Sequence, residues 1–232
     1  MAQLSSISLF AECDPAHLAR FEQRCAWRTF GENALIVDYD DTSTDVFFIA
    51  SGNVRVLYRA PSGREVILGE VAEGGIFGEL AALDGVGRSA NVTALCKTEV
   101  GVMHGTVFQD MVAGEPGLAG TIMKVLCERI RATNIRLAEY SCLNTKHRLY
   151  SELMRLSRPR KGFELQRIVT PPPTQQDLAN RIGCRREVVS REVANLKREA
   201  MVETNKGGLV LLDPSELNRR ISAALNDESG EG

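Results

Sequence analysis

The spacing of apolar residues switches repeatedly between helical and strand-like periods along this chain, and each switch predicts a new element. Between about Asp14 and Cys25, Leu18 and Phe21 fall on one side of a short helix. From Trp27 to Met103 the pattern turns to short alternating stretches, Ala34–Val37, Asp45–Ala50, Asn53–Tyr58 and Glu65–Leu68, with Ser51-Gly52 and Pro61-Ser-Gly63 as turns between them. Short strands at near-regular spacing predict an antiparallel sandwich or jelly roll. Helical period returns from about Leu118 to Leu143, where Leu126, Ile130, Thr133, Leu137 and Tyr140 recur at the 4, 3, 4, 3 spacing of a two-stranded seam. The alternative is a helix packed only on its own sheet.

A further helix is predicted over His147–Leu156, then a basic turn at Arg158–Gly162 and a strand over Phe163–Val169. Pro171-Pro-Pro173 leads into the outline of a helix-turn-helix. Thr174 caps a first helix whose Leu178, Ala179 and Ile182 face inward. Gly183 allows the tight turn, and a second helix buries Val188, Val189, Val193 and Leu196. Met201–Leu212 reads as a hairpin turning at Gly207-Gly208, the wing of a winged helix.

Charge sharpens this division. The net charge is −2, which by itself argues against a nucleic-acid partner. Residues 1–144, however, hold 12 Lys/Arg against 18 Asp/Glu, while residues 145–210 hold 14 against 7. An acidic sensor half joined to a basic DNA-binding half has this asymmetry. Residues 211–232 read as an acidic tail.

The remaining bulk features exclude classes. With 44% hydrophobic residues the chain can build real cores. No long apolar run and no basic leader precede the first element, so neither a membrane span nor a secretory signal is expected. The six cysteines are scattered without metal-ligand spacing, which predicts free thiols in a reducing cytoplasm.

Two stretches carry chemistry. The second helix of the helix-turn-helix opens with Arg185, Arg186 and Glu187, with Arg191 one turn on. Such a helix enters the DNA major groove by its first turns, where an Arg fork matches guanine O6/N7 and a carboxylate accepts from cytosine N4. A helical hairpin with a solvated charged face is the competing reading. In the strand-rich region, Gly74–Ala90 leads through glycines into a short helix, Glu79–Leu83, then to Arg88 and Ser89 on a Gly-rich loop. Free backbone N–H groups and a guanidinium favour a phosphate, and Glu79 beside them needs a donor such as a sugar hydroxyl. A structural ion pair between Glu79 and Arg88 is the alternative.

Over residues 10–212 the chain resembles bacterial regulators of the cAMP receptor protein/FNR family, carried by Phe77-Gly-Glu-Leu-Ala81 through Arg88-Ser-Ala90 and by Gly183–Arg191. The resemblance implies an α+β protein: a β-roll cyclic-nucleotide-binding domain at 1–117, a dimerisation helix and hinge at 118–144, and a winged helix-turn-helix with acidic tail at 145–232. It implies that Glu79 holds a ribose 2′-hydroxyl, while Arg88, Ser89, Gly78, Leu80 and Ala81 line the phosphate site. Thr133 and Asn134 fall where a Thr-Ser pair meets the purine, one residue from each subunit, so Asn134 departs from the family pattern. Arg186, Glu187 and Arg191 match base-reading residues, implying TGTGA-like half-sites, and Thr174 and Gln175 match backbone contacts.

The expectation is therefore a cytoplasmic homodimeric transcription regulator, not an enzyme, that binds cAMP and double-stranded DNA and works with RNA polymerase. Regulation by cGMP or by no nucleotide is the alternative within the same architecture. An iron–sulfur centre is not expected, because only Cys13 and Cys25 lie in the N-terminal third, and neither haem nor a metal is expected, because His104 is the sole histidine close to the strand-rich region. Hydrolysis of a cyclic phosphodiester would need metal ligands or a nucleophile beside the phosphate, and no histidine occurs in residues 60–100.

Overall fold

The computed structural model describes residues 3–226, which divide into two compact units parting inside one long helix, between Arg129 and Ile130. In the first unit, 3₁₀ turns at Leu4–Ser6 and Ser8–Phe10 precede α1 (Pro15–Glu22), started by Asp14, whose carboxylate accepts from the Ala16 N–H at 2.8 Å. The helix stops at Glu22, short of the expected Cys25, because Cys25 already opens β1 (Cys25–Phe30) in register with Met103.

The strands that follow are β2 (Leu35–Val37), β3 (Val46–Ser51), β4 (Asn53–Arg59), β5 (Glu65–Ala72) and β6 (Ile76–Phe77). After α2 (Glu79–Asp84) come β7 (Asn91–Ala94) and β8 (Thr98–Met103), then α3 (Gly105–Gly114) and the long α4 (Pro116–Cys142). Two antiparallel sheets form, ordered β1-β8-β3-β6 and β2-β7-β4-β5.

β3 explains why its sequence is apolar without interruption. Phe47 and Ile49 enter a core with Val37, Val54, Val92, Val100 and Val102 from both sheets. Val46 and Phe48 point the other way, into a second core with Leu18 and Phe21 of α1, Phe108 of α3, and Leu118 and Ile122 of α4. A strand buried on both faces loses the period of two. Burying a side chain of Phe or Ile size stabilises by about 1.5–3 kcal/mol, so these two cores fix the sheet that carries α2.

In the second unit, α5 (Thr145–Leu156) is capped by Asn144, whose side chain accepts from the His147 N–H at 3.1 Å. The expected basic turn contains a short strand, β9 (Arg158–Arg160), paired with β10 (Phe163–Val169). Next come α6 (Gln175–Ile182), α7 (Arg186–Arg198) and the hairpin β11 (Val202–Asn205) and β12 (Gly208–Leu211), giving a sheet ordered β11-β12-β10-β9. The segment read as an acidic tail is largely a helix, α8 (Pro214–Asn226), which buries Leu217 in the core of this unit. The acidic residues Asp227, Glu228 and Glu231 lie outside the described residues. All six cysteines are free thiols, and burial pushes the Cys25 thiol up to about 12.

Candidate functional site

In the first unit the chain passes from β6 through Gly78 into α2. Gly78 has φ +79°, and a Cβ there would lie 2.7 Å from the Asp45 carbonyl oxygen and 2.9 Å from Arg88 Nη1. Only glycine accepts both the left-handed backbone and that approach. Gly78 also leaves the first N–H groups of α2 without a side-chain cap.

Arg88 follows on the loop after α2 and is 5% exposed. Its Nη1 donates to the carbonyls of Asp45 (2.9 Å) and Gly78 (3.1 Å), and Nη2 donates to Ser43 Oγ at 2.6 Å. The guanidinium carbon sits 5.7 Å from the centroid of the Phe47 ring. Neutral oxygens and an aromatic face thus hold a buried cation, and Nε has no hydrogen-bond partner among the described residues. Burial lowers the Arg88 pKa, against the attraction of Asp41, Asp45 and Glu79.

Glu79 is 2% exposed. The anticipated alternative, an ion pair with Arg88, does not form. Glu79 Oε1 accepts instead from Arg129 Nη1 at 2.6 Å, and Arg129 Nη2 donates to the Ile76 carbonyl at 2.5 Å. Glu79 Oε2 is buried with no hydrogen-bond partner among the described residues. Burial raises the Glu79 pKa, opposed chiefly by Arg129 and less by Arg88. The arrangement presents one carboxylate oxygen able to accept and one guanidinium N–H able to donate, both desolvated. A sugar hydroxyl and a phosphate oxygen satisfy those two needs.

Ala81 is buried in α2, whereas Leu80 and Ser89 are exposed. Sequence reasoning missed Ser43, Asp45 and Arg129. Arg129 had a signal, since it stands four residues before Thr133 on the same predicted helix. Thr133 and Asn134 are exposed on α4. The stripe of that helix divides: Leu126 packs against the core of the first unit, while Ile130 and Leu137 are 59% and 64% exposed.

In the second unit Thr174 caps α6 through a reciprocal box. Its Oγ1 accepts from the Asp177 N–H at 3.0 Å, and its own N–H donates to the Asp177 carboxylate at 3.3 Å. Gly183 ends α6 with φ +67°, and a Cβ there would approach Tyr140 to 3.0 Å. Leu178, Ala179, Ile182, Val189, Val193 and Leu196 are buried in one core. Val188, expected to be buried with them, is 38% exposed, because it lies one position off the face that Val189 and Val193 bury. Arg185, Arg186, Glu187 and Arg191 are exposed around the first turns of α7, and no side-chain ion pair engages them among the described residues. Gln175, at the start of α6, is half-buried.

Among the described residues no group of His, Cys, Asp and Glu has the arrangement of a metal site, and no helix is long and apolar enough to cross a membrane.

Residues 27–115 match the family described as cyclic nucleotide-binding domain, and residues 147–220 match the Crp-like helix-turn-helix domain. The chain is 24% identical over 220 residues to the CRP-like cAMP-activated global transcriptional regulator of Mycobacterium tuberculosis, covering 94% of this chain and 97% of that one. It is 25% identical over 199 residues to the cAMP-activated global transcriptional regulator Vfr of Pseudomonas aeruginosa, covering 84% and 93%. The structure of the c-di-GMP responsive global regulator CLP of Xanthomonas campestris shares the fold, with a TM-score of 0.72 at 20% identity over 86% of this chain and 99% of that one.

Proposed function

The chain belongs to the CRP/FNR family of transcription regulators, and we propose that it is a homodimer whose binding to a palindromic operator is switched by cAMP. The observation that carries the nucleotide reading is the pair of buried polar atoms, Glu79 Oε2 and Arg88 Nε, left without hydrogen-bond partners among the described residues on either side of the glycine-led turn into α2. A buried polar atom without a partner is costly, about 1–3 kcal/mol and more when charged, so a ligand that supplies both partners gains from relieving both. Glu79 takes the ribose 2′-hydroxyl, and Arg88 with Ser89 and the backbone of Gly78, Leu80 and Ala81 takes the cyclic phosphate.

The sensor runs over 1–117, the dimer helix and hinge over 118–144, and the DNA-binding domain over 145–232. The exposed Ile130 and Leu137 supply the seam between two copies, with Thr133 and Asn134 reaching the purine. Arg186, Glu187 and Arg191 read bases in TGTGA-like half-sites, Arg185 meets the DNA beside them at the start of the second helix, and Thr174 and Gln175 meet the phosphate backbone. The protein works in the cytoplasm beside RNA polymerase.

Calorimetry of the purified protein with cAMP, cGMP and c-di-GMP tests the effector. Saturable binding of cAMP, tighter than that of either guanine nucleotide, is the expected result. Tighter cGMP binding would transfer the same pocket to that nucleotide, and no binding of any of the three would remove nucleotide control.

A further inference from the structure

A second set of guanidiniums lies in the unit that begins at Ile130, apart from the residues assigned to nucleotide and DNA. Arg136 and Glu139 from the end of α4, Arg148 and Arg155 from α5, and Arg181 from α6 line a partly open cleft together with Glu152. Glu152 is 1% exposed and accepts from three of the four arginines: closely from Arg155, at 3.4 Å from Arg181 and at 3.5 Å from Arg136. Arg155 also donates to Glu139 at 2.7 Å. Arg148 pairs with no carboxylate among the described residues. Its guanidinium lies 4.7 Å from the centroid of the Tyr140 ring, Nη2 donates to Thr145 Oγ1 at 3.1 Å, and its buried Nε has no partner among the described residues.

The lining therefore sets four cations against two carboxylates. Clustered like charges repel one another until an opposite charge joins them. Guanidinium forks match the oxygens of a tetrahedral oxyanion, two N–H groups to two oxygens.

We propose that this cleft binds a small phosphate-type oxyanion, which ties α4, α5 and α6 together. The consequence falls on the helix-turn-helix, because Arg181 precedes the Gly183 turn and the Tyr140 hydroxyl donates to the Arg181 carbonyl at 3.1 Å. An anion held by Arg148 and Arg181 fixes the end of α4 against the turn that sets the recognition helix.

The test is thermal unfolding of the full chain in rising inorganic phosphate, with chloride adjusted to constant ionic strength. Glycerol phosphate in parallel distinguishes free phosphate from a small phosphate ester. Phosphate is expected to raise the melting temperature more than chloride does. The response should persist in Arg88→Gln, which separates this cleft from the nucleotide pocket. Arg148→Gln should weaken phosphate binding about tenfold or more, as loss of one charge-assisted contact implies. Glu139→Gln should act oppositely and tighten binding several-fold, because it removes a competing carboxylate, and it keeps the test decisive if Arg148→Gln does not fold. Identical melting in phosphate and chloride would overturn the proposal. So would a phosphate response abolished by Arg88→Gln, or one left unchanged by both Arg148→Gln and Glu139→Gln.

Discussion

Glu79 and Arg129 form a 2.6 Å ion pair in which the carboxylate is 2% exposed and the guanidinium arrives from α4, fifty residues on. The residue proposed to take the ribose is thus tied directly to the helix proposed to form the dimer seam. Breaking a buried pair from one side leaves a charge without its partner. Arg129→Ala should cost about 1–3 kcal/mol of stability in urea unfolding. Adding Glu79→Gln to Arg129→Ala should restore part of that loss, since the uncompensated charge is gone. Losses that simply add would show that the two residues do not interact.

The same pair sets a pH dependence. Burial holds the Glu79 pKa above the usual carboxylate range, so in this window the folded protein binds a proton that the unfolded chain has released. Its contribution to stability is fully present below the unfolded pKa and is lost as pH rises through the folded value. The stability difference between wild type and Glu79→Gln should therefore move in favour of the variant as pH rises through that window. Cyclic-nucleotide affinity should run the other way, strengthening as Glu79 ionises and can accept from the sugar. A pH-independent difference would contradict the burial of this carboxyl.

Arg88→Ala removes the desolvated cation from the proposed phosphate site, and cAMP affinity should fall by roughly 2–5 kcal/mol, or about 30-fold to several-thousand-fold. Because Arg88 also bonds to Ser43, Asp45 and Gly78, the measurement requires a circular dichroism spectrum that matches wild type. Unchanged affinity in a folded Arg88→Ala protein would remove the site assignment.

At the recognition helix, Arg186→Ala should cost about 1–3 kcal/mol on the specific operator and relax choice at one G·C pair. Thr174→Ala should weaken binding similarly on every sequence, because a backbone contact carries no base information. The capping box adds a second effect: Thr174→Ala should also lower stability by about 0.5–2 kcal/mol, whereas Thr174→Ser retains the cap. Binding selections on random DNA read the first difference and urea unfolding reads the second. Lost specificity in Thr174→Ala but not in Arg186→Ala would reverse the roles.

Most of the architecture was legible because its signals are local. The turn at Ser51-Gly52, with Gly52 at φ +92°, the cap at Thr174, Gly183 at φ +67° and the exposed charges opening α7 each follow from neighbouring residues. What escaped needed distant partners. β3 reads as a plain apolar run because cores press on both its faces, and α8 was hidden by its acidic context although Leu217 anchors it. In the candidate site, glycine spacing and charge pointed to Glu79 and Arg88, but not to their partners. Ser43 and Arg129 lie 45 and 50 residues away and meet them only through the sheet and the long helix.

One ligand site is proposed to govern the other, and mutual linkage tests that coupling most directly. Operator affinity should be measured with and without saturating cAMP, and cAMP affinity with and without operator. Coupling of typical size, about 1–3 kcal/mol, predicts that each ligand tightens the other by the same factor, about 5- to 150-fold. Equal operator affinity with and without cAMP would contradict the account even if both ligands bind.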